Sequence, residues 1–520
     1  MCYLMGIDLG STSLKAVVYD LEGRVKAAGS RPTEKHRPSA EHPEWIVWEP
    51  EQIWGGIAAA IRKAISGLDD PRRVRGVAVT GMGMDGLPVD DRGQWLYPMI
   101  SWHDPRTGPQ HAWWLKNVGA QKTFSIGGNP VWPINSALRI LWMMEHEPKI
   151  MARADKWLLI EDFVNFQLCG RRATDYSMAS CTMLFDQRTL GWSEELLGLS
   201  GIERRWLCDA LPSGTPLGEV SAAASQATGL VEGTPVILGG HDHLCGALPV
   251  GAFRPGVVLA VSGTWETALT ATEGAVLKDA LRQSGMTVQA HVARGKHTIW
   301  GSNVAAEMLE WYRRQYGSTA AGQSAAGQEG AEEGADWEPL MALAASAPPG
   351  AHGVMFLPHM AAANCPVVDP RSLGALVGLS GAATAADLLR AMIEGLCFQF
   401  LDVVVAMESA LGASLPRIIG VGGGTRNPFW MQTKADVLGR TIEVPDVEEA
   451  TPLGAAIVAG VGLGLYCDEA DAYQRVYRPG RAYYPNSDLA PRYAEWFTLY
   501  KQLYPALAPV SHELFDRFVK

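Results

Sequence analysis

Residues Gly239-Gly240-His241-Asp242-His243, continued by Leu244-Cys245-Gly246-Ala247, decide how this chain is read. Ile237 and Leu238 just before them read as the end of a buried strand, and the two glycines release the backbone into a tight turn. A carboxylate just past a strand end is held still by the sheet and aimed into the cleft above it. Asp242 is therefore the candidate general base. The plainer alternative is that Asp242 caps the following helix, a position that Asp favours.

The same layout occurs at the start of the chain. Tyr3 to Ile7 is an apolar run ending in Asp8-Leu9-Gly10-Ser11-Thr12-Ser13, with Lys15 close behind and a second strand at Val17-Val18-Tyr19. Such a hairpin tip can set the N–H groups and hydroxyls of Gly10, Ser11, Thr12 and Ser13 around a terminal phosphate, with Asp8 toward its magnesium ion. A polar tip with no ligand is the alternative. The pattern is not a P-loop, because G-x-x-x-x-G-K is absent. Past Gly251 the arrangement restarts, with Val257 to Val261 as a strand, Ser262-Gly263-Thr264 as its tip and Trp265 to Ala271 returning. Two halves that each open on strand, turn and strand predict a duplicated architecture facing one cleft, with the boundary near Ala252.

Three further stretches feed that cleft. Val74 to Thr80 is a strand running into Gly81-Met82-Gly83-Met84-Asp85-Gly86, and Trp102-His103-Asp104 follows another apolar run. Charged side chains that bridge hydroxyls and aromatics that cover C–H faces are what sugars need, so Asp85, Trp102 and Asp104 form a candidate polar-ligand site. Trp132, at the entry to a helix from Ser136, offers a ring to the same place. Ile418 to Val421 is a strand leading into Gly422-Gly423-Gly424-Thr425-Arg426-Asn427-Pro428 and a helix from Phe429. Glycines ahead of a helix N-terminus allow close approach of a nucleotide, although a plain tight turn has the same composition. Ser302 to Tyr316 reads as a helix and 317–334, rich in Ala, Gly, Gln and Glu, as a mobile surface loop.

Composition sets the outer limits. A chain of 520 residues, 47% hydrophobic and 19% charged, predicts a soluble globular protein of two domains or three. A net charge of −11 argues against nucleic acid or an anionic membrane as partner, while leaving room for a phosphate held locally by N–H groups and a metal. The eight cysteines show no C-x-x-C and no zinc spacing, so buried free thiols are expected. No basic run precedes the first strand and no uncharged apolar run spans a bilayer, so neither signal peptide nor membrane helix is expected and a cytoplasmic location is the default.

Over essentially its full length the sequence resembles the FGGY carbohydrate kinases. Their second family pattern is present from Gly374-Ala375-Leu376-Val377-Gly378-Leu379 through Asp387-Leu388 to Ala391-Met392-Ile393-Glu394. The first is approximated at Ser136 to His146, with Arg139 where lysine is usual and Ile134 where a small or aromatic residue is expected. The strings Val77-Ala78-Val79-Thr80, Leu96 to Trp102, Gly240-His241-Asp242 and Ser262-Gly263-Thr264-Trp265-Glu266 most resemble L-fuculokinases.

The resemblance implies an α/β fold of two actin-like, ribonuclease H-like domains flanking a nucleotide and sugar cleft. Residues 1–251 would carry the sugar site and the catalytic Asp, 252–478 the nucleotide site, and 479–520 a tail packing on the surface. It implies ATP and Mg2+ as cofactors, Asp242 as base, and Asp8 with Asp242 at the metal. Gly10, Ser11, Thr12, Ser13, Lys15, Gly263 and Thr264 would approach the phosphates, with Gly423, Gly424 and Asn427 lining the nucleotide pocket. Asp85, Trp102, Asp104, Trp132 and His243 would touch the sugar, His243 standing where an amide or small polar residue is expected. The implied acceptor is a ketose, L-fuculose-like first, with a xylulokinase-like or polyol-kinase-like member as alternative; a homodimer is compatible with this. A different class, an actin-like nucleotide-binding regulator without turnover, remains as the competing reading.

Overall fold

A computed structural model of the chain describes residues 2–321 and 337–519. The first sheet is built from β1 (Tyr3–Leu9), β2 (Ser13–Asp20), β3 (Val25–Pro32), β4 (Val74–Gly81), β5 (Pro216–Glu219) and β6 (Pro235–His241), in the order β5-β6-β4-β1-β2-β3. The second contains β7 (Val257–Ser262), β8 (Trp265–Thr272), β9 (Thr287–Ala290), β10 (His297–Val304), β11 (Arg417–Val421), β12 (Ile442–Val444) and β13 (Arg481–Tyr483), ordered β9-β10-β8-β7-β11-β12-β13.

The duplication is visible in the pairing. β1 pairs antiparallel with β2 and parallel with β4; β7 pairs antiparallel with β8 and parallel with β11. Each sheet then adds a further parallel strand, β6 or β12, and closes on an antiparallel edge, β5 or β13. The inner parallel strands β4 and β6 are buried nearly throughout, which is why they read as continuous apolar runs rather than alternating ones.

The helices that carry or support the cleft are α1 (Ser136–His146), α2 (Asp242–Ala247), α3 (Ala306–Ala321), α4 (Ala385–Leu411), α5 (Pro428–Leu438), α6 (Ala450–Gly462) and α7 (Ala490–Leu514). α4 starts on a Thr384–Asp387 capping box and is buried on most faces, as its composition predicts. α7 buries Tyr493 and Tyr500 beside Phe398 of α4.

α6 belongs by sequence to the second half yet packs on β1 of the first. A Cβ on Gly6 would lie 1.7 Å from the Pro452 carbonyl, and one on Gly454 would lie 1.8 Å from that of Cys245. Only glycine admits that approach. One apolar cluster accordingly joins Leu4, Tyr19 and Ile237 to Leu259, Ile419 and Ile457, so the two halves interlock beneath the cleft.

Three expectations change. Gly239 and Gly240 stay inside β6, which continues to His241. Its register against β4 slips between Leu238 and Gly240, so Gly239 is the extra residue of a bulge that redirects the strand end. The helix expected from Ser302 starts at Ala306, because Ser302, Asn303 and Val304 pair with Thr267, Glu266 and Trp265 as the end of β10. Residues 317–321 of the expected loop complete α3, and 322–334 lie outside the described residues. All eight cysteines are free thiols, five of them buried.

Candidate active site

Asp242 is the first residue of α2, immediately after β6, and His241 occupies the cap position. A Cβ at Gly239 would meet the Val79 carbonyl at 1.8 Å, which ties β6 to β4 and fixes where the strand releases the chain. The Asp242 Oδ1 accepts the His243 N–H at 2.6 Å, while the side chain stays open to the cleft. Strand end and helix start are thus one place. His241 and His243 stand 3.6 and 3.8 Å from that carboxylate through Nδ1. Burial pulls His241 down to about 4, so this imidazole is neutral at physiological pH.

The cleft is a cavity of about 550 Å³ between the two sheets. Asp242, His241, His243, Ser11 and Val261 line it together with Met82, Gly83 and Met84. Trp102 and Trp132 lie in its wall, as expected for sugar contacts. Trp300 and Trp265 join them, with Pro133, Ile134, Thr267, Ser302 and Asn364. Trp132 and Trp300 meet edge to face at 5.7 Å, and His243 lies 6.3 Å from Trp300. Trp300 was not singled out from sequence. It reads as an ordinary inward residue of β10, and only β10's place beside β8 carries it to the cleft.

Asp85 and Asp104 are elsewhere. Asp85 is wholly buried behind Met84 and does not line the cavity. Its Oδ2 accepts the Trp48 indole N–H at 2.7 Å, the Trp102 N–H also points to it, and the Arg139 Nη2 stands 3.5 Å from Oδ1. Burial pushes this carboxyl up to about 6 and the Arg139 guanidinium down. The Asp104 carboxylate takes a forked pair of bonds from Arg106, at 2.8 and 2.6 Å, plus the Ile46 N–H at 2.6 Å, and has no exposed side-chain surface. Arg106 in turn stacks over Trp45 at 4.1 Å. Both acids orient the wall that carries Trp102; neither meets the cavity.

At the first hairpin, Asp8 sits opposite Lys15 across the β1–β2 pair. The tip is closed by Gly10 N–H on Ser13 O at 3.1 Å and steadied by Thr33, which bonds Thr12 and Gly10 carbonyls. Lys15 Nζ lies 3.0 Å from each oxygen of Glu449, a partner 434 residues away that local reading could not supply. Ser262, Gly263 and Thr264 form the β7–β8 tip, with Gly263 N–H on Trp265 O at 3.0 Å and Thr264 exposed. Gly423 and Gly424 lie in the turn that rests on Ser262, and Asn427 caps α5 by accepting the Trp430 N–H at 3.1 Å.

Burial and the neighbouring Asp242 charge push Asp8 up to about 8. A second negative charge converging there is what a cation would relieve, so the residues fit a divalent ion; among the described residues there is no cluster of three or more acidic, His or Cys ligands. Between the ordinary value of 3.8 and about 8 the folded, empty protein keeps a proton that the unfolded chain has lost, so stability falls as pH rises through that window. Asp8→Asn is expected to remove that slope, by about one proton, measured as urea unfolding at about pH 5 and pH 8. An unchanged slope would show that Asp8 is ionised in the empty cleft.

Comparison with known proteins places this geometry. The FGGY family of carbohydrate kinases matches through its N-terminal domain at residues 3–249 and its C-terminal domain at 258–463. A glycerol kinase from Citrifermentans bemidjiense is 31% identical, covering 91% of this chain and 93% of its own. The chain belongs to the FGGY family of carbohydrate kinases. This FGGY kinase is also 28% identical to the L-fuculokinase of Escherichia coli K12, over 93% of its length and 98% of that protein's. The crystal structure of xylulose kinase from Rhodospirillum rubrum superposes with a TM-score of 0.87 at 29% identity, covering 98% of this chain and 100% of that one. The two sheets are therefore the actin-like halves of a sugar kinase. No helix among the described residues is long and apolar enough to cross a membrane.

Proposed function

We propose that this kinase transfers the terminal phosphoryl group of ATP to a hydroxyl of an uncharged ketose, L-fuculose-like first. The observation that carries the reading is the wall facing Asp242. Trp102, Trp132 and Trp300 with Met82, Met84 and Ile134 make it apolar, and among the described residues its only carboxylate is Asp242 itself. No Arg or Lys among the described residues lines it, so an acid or phosphorylated acceptor would be buried without a counter-charge. A deoxygenated carbon, by contrast, suits an aromatic and methionine face. D-xylulose is the second reading, favoured by the similarity to the Rhodospirillum rubrum xylulose kinase.

In this reading Asp242 accepts the proton of the attacking hydroxyl as its oxygen bonds to the terminal phosphorus and ADP leaves. The tip of Gly10, Ser11, Thr12 and Ser13, with its three hydroxyls, faces the terminal phosphates from one side, and the tip of Gly263 and Thr264 from the other. Lys15, released from Glu449, adds charge there. Gly423, Gly424 and Asn427 hold the nucleoside. Asp8 and Asp242 would hold Mg2+, which when bound supplies charge neutralisation at the phosphates. Closure of the halves would exclude water from the transfer.

The test is ADP release across L-fuculose, L-rhamnulose, D-ribulose, L- and D-xylulose, erythritol and glycerol. Strong turnover with one ketose supports the reading; turnover with glycerol or erythritol alone, or sugar-independent hydrolysis, overturns it. With the accepted ketose, Trp300→Ala is expected to raise the acceptor KM about tenfold while the ATP KM stays within about twofold, because the ring faces the acceptor only. Equal changes in both constants would remove Trp300 from the acceptor site.

A further inference from the structure

A lysine is buried beneath the phosphate-facing tip of the second half. Lys434, on α5, has no exposed side-chain surface. Its Nζ donates to the Glu266 carboxylate and to Ser262 Oγ at 3.0 Å, and Ser262 Oγ donates to the same Glu266 oxygen at 2.9 Å. The faces of Phe400 and Trp430 complete the cage, each ring 5.1 Å from Nζ. The ammonium cannot reach substrate, so it can act only through what it holds.

What it holds is specific. Ser262 and Glu266 are directly opposite each other in the β7–β8 register, the last rung before the tip of Gly263 and Thr264. The glycine-rich turn rests on the same rung. A Cβ on Gly422 would lie 2.6 Å from the Ser262 carbonyl, and one on Gly424 would lie 2.9 Å from the Ser262 Cβ. Gly422 moreover has φ +93°, open to glycine and strained for other residues. Hairpin tip, glycine turn and α5 thus converge on Ser262, and one ion pair ties two of them together. A buried pair of this kind is weak evidence for added stability, because desolvation offsets most of its attraction. Its consequence is geometric.

We propose that the Lys434–Glu266–Ser262 triangle is a strut that sets the Gly263–Thr264 tip at a fixed distance from the nucleotide turn, making Lys434 a positioning residue for phosphoryl transfer. This rests on the proposed function, in which the tip meets the terminal phosphates. Donors aimed at the transferred group must hold their positions to contribute in the transition state, so a loosened tip loses rate more than nucleotide affinity.

The test is Lys434→Met with Glu266→Gln, made together so that neither charge is buried alone. The folded double variant is expected to bind ADP within about threefold of the parent. It should bind a non-hydrolysable ATP analogue about tenfold more weakly and turn over about 10- to 100-fold more slowly, with the acceptor KM within about twofold. A purely structural pair would not separate ADP from the analogue. Parent-like analogue affinity and kcat in the folded variant overturn the proposal. If that variant does not fold, Ser262→Ala breaks the same triangle by losing one hydroxyl. A kcat about 3- to 10-fold lower is then expected, and an unchanged kcat overturns the strut. Thr264→Ala, run alongside, separates the two readings. If it leaves analogue affinity unchanged, the tip is not at the phosphates and the strut falls with it. If it weakens that affinity while the double variant does not, the strut alone is wrong.

Discussion

Asp242→Asn is expected to lower kcat by about 10²- to 10⁴-fold while ADP affinity stays within about threefold. The substitution removes the proton acceptor and almost no volume. Asn keeps an oxygen that can accept the His243 N–H now held at 2.6 Å, so the start of α2 should survive. His241 is a poor substitute as base, since burial pulls it down to about 4 and disfavours its protonated form. Steady-state kinetics with the accepted ketose, beside calorimetric binding of ADP, checks both halves of the expectation. Retained turnover would remove Asp242 from the chemistry. Joint loss of turnover and ADP binding would instead show that it supports the cleft.

The second large effect lies one layer back. Asp85→Ala should cost roughly 3–5 kcal/mol of stability, because it leaves the Arg139 guanidinium buried without its counter-charge. Arg139 keeps only the Ser101 carbonyl, which accepts from Nη2 at 2.9 Å, while Nε and Nη1 are buried with no hydrogen-bond partner among the described residues, so few neighbours can take up the loss. Asp85→Ala with Arg139→Met should recover most of it. The acceptor KM should rise more than the ATP KM, since the Trp102 N–H points toward Asp85, which backs that part of the cleft wall. Urea unfolding of the single and double variants measures the first point and kinetics the second. A single variant as stable as the parent would mean that Arg139 finds solvent or another partner.

The two effects differ in kind. Asp242 meets the cavity, and its loss is expected to be felt in rate. Asp85 and Asp104 lie behind the wall, and their loss is expected to be felt in stability and in acceptor use. From sequence all three look alike, an acid among glycines or aromatics just past a strand. The difference is a matter of which side of the chain faces the cleft, and at Asp85 that face belongs to the neighbouring Met84.

Much of the protein was legible in order along the chain. The paired strand-turn-strand openings at Asp8 and Ser262 mark the duplicated halves, because hairpins and parallel runs write their period and their glycines locally. Asp242, Trp102 and Trp132 follow from their places beside strands and a helix entry, His243 from the family resemblance, and all four line one cavity. Contacts between distant segments were not legible. Lys15 on Glu449, Lys434 under Ser262, Asp85 with Arg139 and Trp300 opposite Trp132 join residues that no local pattern links. Sequence alone determined the duplicated strand-turn-strand plan, which rests on local periodicity, and, through the motifs that carry the family resemblance, the kinase fold and the kind of chemistry. Tertiary structure alone decided which polar residues reach the cleft and which are buried behind it, because burial depends on what packs from elsewhere in the chain.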